Sequence, residues 1–289
     1  MRTRPTLTWE PTGAPLPRTT SLDEVVEVVA AGNVAVLSGA GLSTESGIPD
    51  YRGESGTLRR HTPMTYDEFV GSLEGRRRYW ARSHVGWRTI ARAEPNVGHH
   101  AVAALQARGL VSGVITQNVD GLHTAAGSAD VVELHGNLDR VICLECKDIS
   151  ARQVLDDRFT TANPTFEAVA LQVNPDGDVE LEEHAVQSFA LVDCTACEGV
   201  LKPDVVFFGE NVPRVRAEAC YRLVDEADAL LVLGSSLTVM SGLRFVRHAH
   251  KAGKPVIIVN RGRTRGDEYA TVRVDLPLGQ ALTDLATRL

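Results

Sequence analysis

Apolar positions fall into two alternating rhythms along the chain. Short runs rich in β-branched residues, at Val34–Leu37, Val111–Thr116, Val131–His135, Val205–Phe208, Leu230–Gly234, Val256–Asn260 and Val272–Val274, predict strands buried on both faces. Between them apolar residues recur at helical spacing. Leu22, Val25, Val26, Val29 and Ala30 mark one helix, with Ser21 as its expected N-cap and Gly32-Asn33 as its stop. Further helices are predicted near His99–Arg108, Arg214–Glu226, Gly242–Ala252 and Leu278–Arg288. Strands alternating with helices predict an α/β protein built on a doubly wound, mainly parallel, Rossmann-like sheet, which binds ligands beyond the carboxyl ends of its strands.

Two stretches break the rhythm. Residues 53–97 open with a polar, Gly- and Arg-rich segment and continue in helical pattern, as expected of a mobile cofactor loop and a helical insertion. Residues 138–202 hold four cysteines and read as a small inserted module, with an extra loop from Asn163 to Glu183. The sheet domain is expected to comprise 21–52, 98–137 and 203–289, preceded by a short arm at 1–20 that prolines and glycines keep from forming an amphipathic helix.

Of the 289 residues, 43% are hydrophobic and 23% charged, as in ordinary globular proteins, and the formal net charge is -7. That balance offers no general attraction to nucleic acid or an anionic membrane, so a small molecule or a protein is the expected partner. No apolar run approaches membrane-span length, and the cytoplasm is the expected compartment. Four of the five cysteines form Cys-x-x-Cys pairs, Cys143/Cys146 and Cys194/Cys197. Each pair can aim two thiolates at one tetrahedral zinc ion, and four thiolates leave no open position, so the metal is expected to be structural. Cys220, within a predicted helix, reads as a small core residue.

Polar residues collect where strands end. The first strand runs into Gly39-Ala40-Gly41-Leu42-Ser43, followed by Asp50, Tyr51 and Arg52. A Gly-x-Gly turn lets backbone approach a phosphate, but the third glycine of the dinucleotide fingerprint is missing, and a plain tight turn fits equally well. Gln117, Asn118, Asp120 and His123 follow the second predicted strand, His135 ends the third, and Gly234-Ser235-Ser236 and Asn260 end two later ones. His123 suits a capping or hydrogen-bonding role. His135, before a glycine and in the company of Gln117, Asn118 and Asp120, suits a general base.

Taken together, the glycine stretch through Arg52, Thr116–His123, both cysteine pairs, Lys202–Glu210 and Gly234-Ser235-Ser236-Leu237 resemble the sirtuins, NAD-dependent protein-lysine deacylases. Cys143-Leu144-Glu145-Cys146, Asn174–Val179 and Leu201–Glu210 look most like the class II branch. The resemblance implies that Gly39, Ala40, Gly41, Ser43, Tyr51, Arg52, Gln117, Gly234, Ser235, Ser236 and Asn260 serve NAD, that Asp50, Asn118 and Asp120 line the nicotinamide pocket, and that His135 is the base. It further implies that the acyl oxygen of a modified lysine displaces nicotinamide, and that His135 helps a ribose hydroxyl attack the resulting imidate. Free lysine, nicotinamide and O-acyl-ADP-ribose are the implied products. Val206, Phe207, Phe208, Gly209 and Glu210 on one side and Thr238–Gly242, including Val239, on the other are expected to pair with an extended acyl-lysine peptide.

Tyr79 and Arg82, three apart on a predicted helix, resemble the Tyr-x-x-Arg pattern with which some sirtuins hold an acidic acyl group. A surface arginine beside a packed tyrosine explains the same residues. Ser241-Gly242 replaces the proline common after the Gly-Ser-Ser loop, and the adenine side departs from the usual pattern at Arg261–Gly266. Two other functions use the same pocket: mono-ADP-ribosyl transfer to a protein, and NAD-responsive binding without catalysis.

Overall fold

The computed structural model describes residues 17–51, 63–168, 179 and 181–289. In chain order the described elements are α1 (Asp23–Ala30), β1 (Val34–Ser38), α2 (Tyr66–Gly71), α3 (Leu73–Ile90), α4 (Val97–Ala107), β2 (Val111–Thr116), α5 (Leu122–Ala125), β3 (Val131–Glu133), β4 (Gly136–Cys143), β5 (Ile149–Ala151) and α6 (Arg152–Ala162). They continue with α7 (Glu183–Ser188), β6 (Leu201–Val205), α8 (Arg214–Glu226), β7 (Ala229–Leu233), α9 (Met240–Lys251), β8 (Val256–Val259), β9 (Val272–Val274) and α10 (Leu278–Arg288).

Six strands form a parallel sheet in the order β3-β2-β1-β7-β8-β9, as the apolar runs predict. Helices cover both faces. One core, with Val36, Leu231 and Ile257, lies under α1, α4 and α10; the other, with Leu37, Val232 and Ile258, lies under α8 and α9. The full burial of β1 and β7 explains why their sequences do not alternate. From β1 the chain moves outward through β2 to β3, whereas β7, β8 and β9 lie on the opposite side. The β1/β7 boundary is therefore the topological switch point, where a doubly wound sheet opens a crevice.

The expected strand at Val205–Phe208 is displaced. It is Leu201–Val205, and it pairs antiparallel with β4 in a separate three-stranded sheet, β5-β4-β6. That small sheet begins at Gly136 and ends at Val205, so it reaches past both expected module boundaries, 138 and 202. Lys202 and Asp204 are buried in β6 because each finds partners: Lys202 Nζ bonds the Pro203 and Val205 carbonyls and pairs with Glu210 (3.1 Å), while Asp204 accepts from Arg216 (2.6 Å) and Arg140 (3.1 Å).

Helix α3 is fastened to the module by a buried polar cluster. His84 Nδ1 lies 2.5 Å from Asp156 of α6, which also accepts from Arg88, and the Arg152 guanidinium stacks over Trp87 (4.9 Å) and Trp80 (5.3 Å). Ser21 does not cap α1 from the N-cap position, which Leu22 fills; its hydroxyl instead accepts from the Asp23 N–H. Of the expected arm at 1–20, residues 1–16 lie outside the described residues. Thr19 adds a parallel bridge to β9, and Arg18 inserts between Asp267 (2.8 Å) and Asp275 (3.2 Å) while donating to the Asn260 carbonyl.

Candidate active site at the sheet's switch point

The loops that leave β1 and β7 interlock. The Gly39 N–H donates to the Leu233 carbonyl and the Gly41 N–H to the Gly234 carbonyl, both at 2.9 Å. A Cβ at Gly39 would stand 2.7 Å from Ser235 Cβ, and one at Gly41 would stand 2.9 Å from the Gly234 oxygen. Gly234 itself has φ +60°. Glycine at these positions is therefore explained by backbone contact across the switch point. Ala40–Leu42 and Thr44–Ser46 are single 3-10 turns, not the long helix of a dehydrogenase loop.

A polar network lines this place. Asn118 Nδ2 donates to the Gly39 carbonyl (3.1 Å) and to Ser43 Oγ (3.0 Å), and Ser43 donates to Asp120 Oδ2 (2.6 Å). The Leu122 N–H holds the other Asp120 oxygen at 3.0 Å. Burial pushes the Asp120 carboxyl up from its ordinary range, while the Ser43 and backbone bonds oppose that shift. Gln117 Nε2 donates to Ser235 Oγ (2.8 Å) and to the Ser38 carbonyl (3.2 Å), linking the ends of β2, β7 and β1.

His135 stands between two partners. Its Nδ1 lies 2.9 Å from the Gln117 carbonyl, which only accepts, so Nδ1 carries the proton. Nε2 is then the acceptor, and Ser241 Oγ donates to it at 2.7 Å. Burial lowers the imidazole pKa to about 4, with Arg216 and Arg244 adding to the effect and the Gln117 bond opposing it, so the ring is neutral at physiological pH.

His123 has the structural role expected of it: Nε2 meets Ser38 Oγ at 2.9 Å, deep beneath the glycine loop and 5.0 Å from the His99 ring. Burial holds His99 near pKa 4 and His123 near 3. Because both pKa values are depressed below the unfolded value near 6.5, the unfolded chain takes up protons first. Stability is then lost as pH falls from about 6.5 towards 4, by up to roughly 3 kcal/mol per histidine. Denaturant titrations over that pH range are expected to show the loss, and His99→Gln is expected to flatten it.

The other expected site residues are spread around this centre. Asp50 and Tyr51 are partly buried, and Tyr51 meets Phe208 edge to face at 6.0 Å; Arg52 lies outside the described residues. Ser236 accepts from Thr238 Oγ1, and its carbonyl from the Arg265 N–H. Asn260 directly follows β8, and its amide donates to the Arg261 and Gly262 carbonyls. Val206–Glu210 is a turn rather than a strand: Gly209 has φ +87°, the Glu210 N–H returns to the Phe207 carbonyl, and Glu210 Oε2 accepts from the Phe207 N–H. It abuts His135, because the Val206 N–H donates to the His135 carbonyl. On the facing side Val239 is extended, but Met240–Gly242 already belong to α9, which corrects the expectation of a pairing strand through 242.

Tyr79 and Arg82 share α3. Tyr79 is buried in an aromatic cluster 5.1 Å from Phe207 and 5.5 Å from Phe69, and Arg82 is partly buried.

In the module the four cysteine sulfurs lie within 4.8 Å of one another, with Cys143–Cys197 at 3.5 Å and Cys146–Cys194 at 3.8 Å. Zn–S bonds of about 2.3 Å make a tetrahedral edge of about 3.8 Å, so the cluster fits zinc. Each pair sits on the same kind of knuckle. The residues after them, Lys147 and Glu198, have φ +65° and +59° and donate their N–H groups to the Cys143 and Cys194 carbonyls. Cys220 is fully buried, and burial pushes its thiol up to about 12, as befits an inert core residue.

Sequence reasoning missed Ser241, Gly242 and Arg216 as neighbours of His135 and its partner Gln117. The only local signal was the departure at Ser241-Gly242.

A parallel nucleotide-type crevice, a buried polar network and a neutral histidine beside a four-thiolate module define a class of nucleotide-dependent enzyme carrying a structural metal. Residues 39–241 match the Sir2 family. The chain is 64% identical to "NAD-dependent protein deacetylase 1" of Streptomyces coelicolor, covering 100% of this chain and 97% of the relative, and 54% identical to the protein of that description in Mycobacterium avium (92% and 95%). Among solved structures, a Sir2 complex with p53 peptide and NAD+ is similar at TM-score 0.74 and 28% identity, covering 92% of this chain and 98% of that one. A Sir2 complex with deacetylated p53 peptide and 3′-O-acetyl-ADP-ribose gives TM-score 0.73 and 28% identity (92% and 96%). The chain belongs to the Sir2 family.

Proposed function

We propose that this protein is an NAD-dependent deacylase of lysine side chains in proteins, with His135 as its base and Asn118 and Asp120 as the groups that orient the nicotinamide end. The observation that carries the reading is the neutral imidazole of His135, held at both nitrogens beside the Ser43–Asn118–Asp120 network. The deacetylase relatives, and the Sir2 structures with peptide, NAD+ and acetyl-ADP-ribose, support it.

Bound NAD supplies an electrophilic ribose carbon, a nicotinamide leaving group and an ADP-ribosyl acceptor for the acyl group. The residues proposed to hold it are Gly39, Ala40, Gly41, Ser43, Tyr51, Arg52, Gln117, Gly234, Ser235, Ser236 and Asn260, with Asp50, Asn118 and Asp120 at the carboxamide. Asp120 is suited to that end because it is an acceptor fixed at both oxygens, next to a buried hydroxyl. His135 Nε2 takes the proton of a ribose hydroxyl. The peptide lies between Val206–Glu210 and Val239, which read its backbone. The four thiolates hold zinc away from the chemistry. Unpaired cysteines and thiolate ligands suit a reducing cytoplasm, the proposed compartment. Leu201–Glu210 and the Cys143–Cys146 knuckle support placement in the class II branch.

The proposed acyl group is acidic. Tyr79 packs on Phe207 of the peptide segment, and Arg82 follows it one turn along α3, where a guanidinium can grip a carboxylate. The test is a panel of acetyl-, malonyl-, succinyl- and glutaryl-lysine peptides, followed by nicotinamide release and peptide mass. Acyl loss without added mass is expected; an ADP-ribose adduct would replace the reading by mono-ADP-ribosyl transfer, and absence of turnover by a binding module. Arg82→Ala is expected to lower acidic-acyl kcat/KM about tenfold relative to acetyl. An unchanged ratio for every acidic acyl group removes the acidic preference.

A further inference from the structure

Ser241 and Gly242, in the first turn of α9, lie against His135 and its partner Gln117. Ser241 Oγ donates to His135 Nε2 at 2.7 Å. Gly242 lies flat on the Gln117 side chain, where a Cβ would stand 2.4 Å from Oε1, and the Gln117 backbone carbonyl holds His135 Nδ1 at 2.9 Å. The imidazole is thus pinned at two points, in one tautomer and one ring orientation. Removal of the serine hydroxyl leaves it a single anchor, about which the ring can tilt.

We propose that Ser241 is a positioning residue for the base, a role that rests on the reading of His135 given above. Its hydroxyl occupies Nε2 and is exchanged for the ribose hydroxyl when the reaction intermediate forms. The lone pair that Ser241 keeps aligned is the one that receives the proton: the ribose O–H bond breaks, the Nε2–H bond forms, and the ribose oxygen keeps the electron pair with which it attacks the acyl carbon. Serine suits this task because its hydroxyl rotates about one bond and can leave Nε2 without moving the helix. Proline, which the residue replaces in the family pattern, has no hydroxyl to offer.

Four proteins test this: wild type, Ser241→Ala, Ser241→Thr and, as reference, His135→Ala. Nicotinamide exchange into NAD in the presence of acyl-peptide reports the step before the base acts, and net deacylation reports the step that needs it. Ser241→Ala is expected to lower deacylation about tenfold while exchange changes less than twofold, and Ser241→Thr is expected to recover most of the loss. In the ligand-free protein, nitrogen-15 NMR of the histidine side chains is expected to show the Nδ1–H tautomer of His135 in both wild type and Ser241→Ala, because the Gln117 carbonyl still holds Nδ1, with the Nε2 resonance displaced in Ser241→Ala by loss of its hydrogen bond. The inference is overturned if Ser241→Ala deacylates at the wild-type rate, if exchange and deacylation fall in parallel, if Thr is as slow as Ala, or if the Nε2 resonance does not move. Deacylation that survives in His135→Ala overturns the assignment of the base itself, whatever Ser241 does.

Discussion

Replacing His135 by alanine is expected to lower NAD-dependent deacylation by at least about 100-fold, the usual scale for loss of a positioned base. The fold should survive. His135 follows the short edge strand β3 and is only partly buried as a residue, and its backbone carbonyl still accepts from the Val206 N–H when the ring is gone. The loss should therefore appear as activity without a matching drop in melting temperature. Acyl-peptide turnover measured beside circular dichroism checks this; a fall in turnover of less than fivefold would remove His135 from the role of base. His123→Ala is expected to behave differently, because that imidazole packs beneath the glycine loop and meets Ser38, so its removal reaches stability first.

Removal of zinc is expected to have the second large effect. The cysteines close the three-stranded sheet at one end: Cys143 ends β4 opposite Leu201 of β6, and Cys194 and Cys197 sit just before β6 begins. The other end of that sheet is at the proposed active site, since Gly136 pairs with Val205, and Val206 bonds the His135 carbonyl. Structural zinc sites contribute on the order of 10 kcal/mol to folding. Chelation, or Cys146→Ser, should therefore abolish the bound metal, release the module and lower deacylation by at least about tenfold. Metal analysis, thermal melting and turnover on one preparation test this together. Full activity in metal-free protein would show that the module holds its shape without the ion.

Much of the sheet is legible in the sequence because its strands are buried on both faces and leave uninterrupted apolar runs. Strand β4 is not: Gly136-Asn137-Leu138-Asp139-Arg140 mixes apolar and charged positions, and it becomes a strand through pairing with β6 and β5. β6 is concealed for a related reason. Lys202-Pro203-Asp204 looks like a turn, yet both charges are buried because Glu210, Arg216 and Arg140 come to them from elsewhere in the chain. At the site, Asn118, Asp120 and His135 stand out as polar residues at strand ends. Ser241 does not, because a serine in the first turn of a helix is commonplace, and only the third dimension shows which nitrogen its hydroxyl meets. Arg18 is hidden likewise, since its carboxylate partners lie about 250 residues further on.

The strand order has a consequence for how the molecule comes into being on the ribosome. β1 lies in the middle of the sheet, yet its neighbour β7 begins only at Ala229, so Val34 waits for almost two hundred residues of synthesis before the crevice has a second wall. The small sheet closes sooner, for its last strand ends at Val205. A nascent chain released between Val205 and Ala229 thus carries every cysteine of the metal module and His135 itself, but no switch point for them to serve.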